Sequence, residues 1–226
     1  KWAMTDNSRP NELDPNLKAF EMGRKAALQP EAFEKPSTRL SLQEFIETRS
    51  GYLALGWGKR AADIYRGLVD RVTAWSIDEQ DRVRFALGVY DTYQWGGKTV
   101  AAGYADLVEA VYKVDTEAQG YRATRALIPN LARVIAYKDE IYVAHLLTSV
   151  EKRLRDQERY NVDPSRGDRI TYSHLTRPHF QVFGLDVKFD LKTKDWMLRR
   201  FRRLRFLRKL LPGWHHEEKA YRDWYI

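Results

Sequence analysis

The chain has 226 residues, 43% of them apolar and 31% charged, with no cysteine and a net charge of +8. That is enough apolar material for one large domain or two small ones, and too much for a disordered chain. The lack of cysteine excludes disulfides, a thiol nucleophile and iron–sulfur ligation by this chain, while the positive balance points to nucleic acid, an anionic surface or an acidic partner.

No apolar run approaches the roughly 18 residues that a membrane-crossing helix needs. The N-terminus lacks a charged-then-apolar export pattern, so the expected compartment is cytoplasmic. The chain opens on Lys1 rather than Met, as a processed or excised piece would.

Residues 1–40 read as an arm holding Pro10, Pro15, Pro30 and Pro36, half of all the prolines. One helix interrupts it over 16–28, with Asp14 as N-cap, Pro15 at its first position and Leu17, Phe20, Met22 and Leu28 as its apolar set.

Residues 41–160 read as a helical bundle. Ser41 and Glu44 form a capping box ahead of Phe45 and Ile46. Gly51, Gly56 and Gly58 then either break this helix or admit another backbone. No strand precedes them and no GxxxxGK pattern is present, so close helix packing is preferred to phosphate binding. A third helix is expected over 61–75 on Ile64, Leu68, Val69 and Val72. A fourth runs over 77–93 on Val83, Leu87 and Tyr90, and a fifth over 104–114. Short connections favour antiparallel neighbours.

The stretch 121–155 carries Leu127, Leu131, Val134, Ile135, Ile141, Leu146, Leu147 and Val150 at a helical period. It predicts one long helix whose first turn lies near Pro129, because proline is tolerated only at a helix start. Lys138 falls on its apolar side, with Asp139 and Glu140 following. Tyr137, Lys138, Asp139 and Glu140 are therefore expected to form a structural polar cluster, since an unpaired buried ion is very costly.

Residues 161–226 change character. Turn chemistry from Asn161 to Gly167 leads into alternating patterns over 169–176 and 180–191, which predict two or three strands of a small antiparallel sheet. A helix is expected over 195–211, with Met197, Phe201, Leu204, Leu207 and Leu211 as one stripe and Pro212-Gly213 as its stop. Arg199, Arg200, Arg202, Arg203, Arg205, Arg208 and Lys209 cover the remainder and form a basic face. A short helix over 217–226 closes the chain. The expected fold is mainly α: a helical bundle with a small antiparallel β element, about residues 169–191, before a basic C-terminal helix.

The basic face is a solvated surface, a docking face for another subunit, or a contact for nucleic acid or an anionic bilayer; charge pattern alone does not separate these. His145, His174, His179, His215 and His216 make no HExxH pattern, so no metal site is expected. No GxSxG appears, and the adjacent carboxylates Asp139-Glu140 and Glu217-Glu218 diverge on a helix. No catalytic residue is assigned.

Several segments, in order, resemble a known family. They are Asn16-Leu17-Lys18-Ala19-Phe20 with Gly23-Arg24-Lys25-Ala26-Ala27; Ser41-Leu42 with Arg49, Tyr52-Leu53 and Tyr65 to Val72; Tyr137-Lys138-Asp139-Glu140 with Val143-Ala144 and Leu146; Trp196-Met197-Leu198 to Leu210; and Glu217-Glu218 with Tyr221 to Ile226. Together they resemble the C-terminal helical region of the indolepyruvate:ferredoxin oxidoreductase (2-oxoacid oxidoreductase) family, smaller-subunit type. Gly56-Trp57 departs from the family's usual Tyr-Gln pair, and residues 114–125 are not diagnostic.

The resemblance implies a parent complex that oxidatively decarboxylates aryl-pyruvates to acyl-CoA with thiamine diphosphate, Fe–S clusters and CoA, none bound by this chain. This chain would be a non-catalytic domain or subunit that packs with the catalytic 2-oxoacid oxidoreductase domains and docks ferredoxin or CoA on its basic face. The competing readings are a stand-alone basic helical protein that binds nucleic acid, and a structural assembly subunit of another large complex.

Overall fold

Ser41 opens the main body as its sequence predicts. In the computed structural model its hydroxyl accepts from the Glu44 amide, and the Glu44 carboxylate accepts from the Ser41 amide at 2.9 Å. The structure describes residues 10–29, 40–176, 179–182, 185–188, 191–210 and 213–226. Pro30, Pro36, Phe189, Leu211 and Pro212 lie outside these. The chain divides into two units, Lys1–Leu40 and Ser41–Ile226.

The first unit holds α1 (Pro10–Leu28). It starts six residues before the expected Asn16, at a proline whose fixed φ suits a first turn. Asp14 and Pro15 therefore lie inside it.

The second unit begins with α2 (Leu42–Trp57) and α3 (Lys59–Val69), the latter tightening into a 3-10 turn over Asp70–Ala74. α4 (Glu79–Gly96), α5 (Lys98–Val114) and α6 (Arg122–Ile135) follow. α2 runs through Gly51 and Gly56 without a break. Only Gly58, at φ 92°, ends it, and Gly97, at φ 80°, does the same between α4 and α5. Both positions need glycine, because an added Cβ disfavours that backbone.

The close approach expected of the early glycines occurs elsewhere. A Cβ on Gly51 would meet nothing within 4 Å, whereas one on Gly88 would lie 2.2 Å from the Tyr104 hydroxyl. There α4 and α5 touch. Tyr104 is fully buried, and its hydroxyl donates to the Ile128 carbonyl at 2.9 Å, tying α5 to α6. Around this contact pack Leu53, Tyr65, Val69, Phe85, Val89, Val108 and Leu131, all at most 2% exposed. Leu87, expected inward, is 37% exposed.

The long helix predicted over 121–155 is three helices. α6 begins at Arg122, well before Pro129, because Asp115 caps it from the preceding turn. Its carboxylate accepts from the Thr124 amide at 2.8 Å and the Thr124 hydroxyl at 2.9 Å. α6 ends at Ile135. Asp139 then caps α7 (Glu140–Thr148) by accepting from the Tyr142 amide at 2.7 Å. Ser149 caps α8 (Val150–Arg159) through the Lys152 amide at 3.1 Å. Each cap replaces the helical hydrogen bonds that a continuous rod would have made.

The β element comprises β1 (Ser173–Thr176), β2 (His179–Val182), β3 (Leu185–Lys188) and β4 (Leu191–Lys194). Among the described residues these form two antiparallel pairs rather than one sheet. β1 pairs with β4, Ser173 opposite Lys194, and β2 with β3, His179 opposite Lys188. The basic helix predicted over 195–211 is also interrupted. α9 (Asp195–Phe201) and α10 (Leu207–Leu210) are separated by a turn, and α11 (His216–Tyr225) follows. The fold is mainly α, a helical bundle with a small antiparallel β element ahead of the C-terminal helices. No helix among the described residues is long and apolar enough to cross a membrane.

Candidate functional site

The basic segment does not present one face. Arg202, Arg205 and Arg208 recur every three residues and turn inward. Arg208 is buried. Its Nη2 donates to Asp139 Oδ1 at 2.8 Å, its Nε to Oδ2 of the same carboxylate, and its Nη1 to the Trp95 carbonyl. The guanidinium lies 4.1 Å from the Trp95 ring. Arg205 donates to the carbonyls of Tyr93 at 3.0 Å and Gln94 at 3.3 Å, and sits 3.7 Å from the Trp57 ring. Arg202 donates to the Thr148 carbonyl at 3.0 Å.

All four carbonyls belong to the last turns of α4 and α7. Helix C-termini expose unpaired carbonyls and a partial negative charge, so cations settle there. That is the physical reason the predicted helix breaks at Arg202: its arginines leave the helix surface to cap two other helices. Burial, with Arg208 and Arg202 nearby, pushes the Arg205 pKa down to about 10, which leaves it charged at neutral pH.

The other side of the segment faces solvent. Arg199, Arg200 and Arg203 are exposed, beside Trp196 at 54% and Phe206 at 55%. Arg199 pairs with Asp195 at 2.8 Å, and the Arg200 guanidinium lies 5.8 Å from the Trp196 ring. The side chain of Lys209 lies outside the described residues.

Under the inward arginines lies a buried polar cluster. His145 is 5% exposed and stacks on Trp57, ring centroids 5.7 Å apart. Its Nε2 contacts Gln94 Oε1. Burial first, then Arg202, Arg205 and Arg208, push its pKa down to about 3. It is neutral at physiological pH. Next to it Arg49 pairs with Glu151, which also accepts from the Tyr90 hydroxyl at 3.3 Å. Burial, opposed by Arg49 and reinforced by Glu151, raises the neighbouring Asp91 to about 6. The gap among these side chains holds about one water and no larger ligand.

A protein family described as "Family of unknown function (DUF6537)" matches residues 81–224. The chain belongs to this family. The DUF6537 match takes in Arg202, Arg205 and Arg208 and all four carbonyls they cap, and leaves Arg49 and Trp57 outside. No curated protein and no solved structure matches the chain. The oxidoreductase, 2-oxoacid oxidoreductase, indolepyruvate and ferredoxin identity expected from the resemblance therefore does not stand. The family that matches carries no assigned activity, and no curated relative supplies one.

The polar cluster expected at residues 137–140 is dispersed. Lys138 is exposed, because the helix whose period placed it inward is broken there. The Tyr137 carbonyl accepts from Trp95 Nε1 at 3.0 Å. Asp139 goes to Arg208. Glu140 goes to His215, whose Nε2 lies 2.9 Å away while Nδ1 lies 3.2 Å from Glu218. Burial opposes the charge on His215, but the two carboxylates outweigh it and raise its pKa.

Sequence reasoning missed Arg49, Asp91, Gln94 and Glu151. Arg49 lies four residues from both Phe45 and Leu53, and Glu151 directly follows Val150; those apolar neighbours at helical spacing are the one signal that could have flagged them. Among the described residues no group of three or more His, Asp or Glu could hold a metal ion.

Proposed function

We propose that this chain is a non-catalytic helical scaffold that docks a partner polypeptide through the outward side of the segment 196–206. One observation carries the reading. The segment is pinned from beneath by Arg202, Arg205 and Arg208, and it presents Arg200, Arg203, Trp196 and Phe206 outward. Arginine and large aromatics are the side chains enriched in interface hot spots. A face fixed in advance also loses less freedom on binding. The partner that fits is acidic, with apolar pockets for the two rings.

Three of the seven cations are engaged inside the fold, which disfavours the nucleic-acid reading, because duplex binding scales with the phosphates neutralised. A cytoplasmic location belongs to the same proposal.

The test is affinity capture of the tagged chain under native conditions, reading the mass and cofactor content of what is retained. Paired charge reversal, Arg200→Glu with Arg203→Glu, is compared with the unaltered chain at two salt concentrations. The proposal expects a stoichiometric acidic polypeptide whose retention the reversal and added salt both weaken. Retention indifferent to both, or capture of nucleic acid instead, overturns it.

A further inference from the structure

A second concave site lies between α8, the 162–172 loop and α9. It encloses about 360 Å³, within the size range of small-molecule sites. Three guanidiniums line it, those of Arg153, Arg169 and Arg199, with two carboxylates, Asp168 and Asp195.

Asp168 is already committed. It accepts from Arg166 Nη2 at 3.0 Å and from the Asp163 amide at 3.1 Å. Asp195 offers a single oxygen to two arginines, Oδ2 lying 2.7 Å from Arg153 Nη2 and 2.8 Å from Arg199 Nη2. Its Oδ1 stands 3.7 Å from His174 Nε2. Two of the three guanidiniums thus share one carboxylate oxygen. Arg153 Nε, His174 Nε2 and Asp195 Oδ1 are buried without a hydrogen-bond partner among the described residues. A guanidinium has five donors in a planar fork, so Arg153 and Arg199 retain donors that Asp195 does not use. Val162, Ile170 and Tyr172 supply an apolar part of the lining.

We infer that this cavity binds a small phosphate monoester. Three guanidiniums against two carboxylates leave the lining net positive, which suits an anion. The forked donors match a tetrahedral head with several oxygens. The volume exceeds what inorganic phosphate fills, and the Tyr172 side of the lining suits an organic group. The site stands apart from the docking face, which uses Arg200 and Arg203, so either can fail without the other.

Phenyl phosphate titrated calorimetrically into the full chain, at low salt and neutral pH, tests it. Saturable one-to-one binding is expected, with inorganic phosphate and benzoate weaker. Arg169→Gln, at the exposed rim, should weaken binding by about tenfold, the loss of one charge-assisted contact. Arg199→Gln should do at least as much, with circular dichroism reporting that the fold persists. Arg133→Gln, remote from the cavity, should leave binding unchanged. Absence of saturable binding, equal affinity for benzoate or inorganic phosphate, or indifference to Arg169→Gln overturns the inference.

Discussion

Arg208 and Asp139, 69 residues apart in sequence, meet as a buried two-pronged ion pair. Asp139 is also the N-cap of α7, and Arg208 also caps α4 at Trp95. One contact thus joins three helices. Removing either partner strands the other charge in a place water does not reach. Asp139→Asn or Arg208→Met should each lower stability by about 3–5 kcal/mol. The double variant should lose less than the sum, as a double-mutant cycle in urea would read.

The inward and outward arginines should separate by experiment. Arg205→Met removes the donor to Tyr93 and Gln94 and should cost about 2 kcal/mol of folding stability. Arg200→Glu with Arg203→Glu should stay within about 0.5 kcal/mol of the parent, and weaken partner capture. Charge reversal at Arg202 or Arg205 would report on folding, not docking. Denaturation midpoints beside retention measurements check both halves.

His145 and Asp91 should impose opposite pH slopes. The folded pKa of His145 is about 3 against an ordinary 6.5, so the unfolded chain takes up a proton first as pH falls. Stability from this group is present above 6.5 and lost toward 3. Asp91 runs the other way. Its folded pKa is about 6 against 3.8, so its contribution is present below 3.8 and lost as pH rises through 6. Between about pH 4 and 6 the two nearly cancel, each at up to about 1.4 kcal/mol per pH unit. His145→Gln should expose a stability that falls with rising pH across that window, and Asp91→Asn one that rises. Urea midpoints at several pH values read the slopes; parallel profiles would contradict the assignment.

Gly88→Ala should be costly although alanine is the better helix former. The added methyl would overlap the Tyr104 hydroxyl, which is fixed on the Ile128 carbonyl. A loss of about 1–3 kcal/mol is expected from overpacking. Gly51→Ala, with open space around it, should be neutral or slightly stabilising. Thermal midpoints of the two variants make the comparison.

Helix content and the site of the β element were legible because both rest on local periodicity. The breaks were not. Apolar residues keep a helical period from Leu127 to Val150, and nothing local says that Asp139 will cap rather than continue. What fixes Asp139 is Arg208, far along the chain. Asp115 caps α6 from nine residues upstream of Thr124, equally beyond a local window. The basic stretch was plain in the sequence. Its division was not, because inward and outward arginines differ only in which carbonyls lie nearby once α4 and α7 are in place. Tyr137 to Glu140 was expected to form one cluster, but Asp139 and Glu140 find their partners outside the motif.

The Tyr93 carbonyl takes the Gly97 amide from its own turn, but the Trp95 carbonyl waits for a donor 113 residues further along. A ribosome delivers the chain from its N-terminus, at about 5–20 residues per second. The end of α4 thus emerges on the order of ten seconds before Arg205 and Arg208. Until then water must serve that carbonyl. A premature stop codon ahead of Arg202 would make that interim state permanent and leave the fragment to proteases.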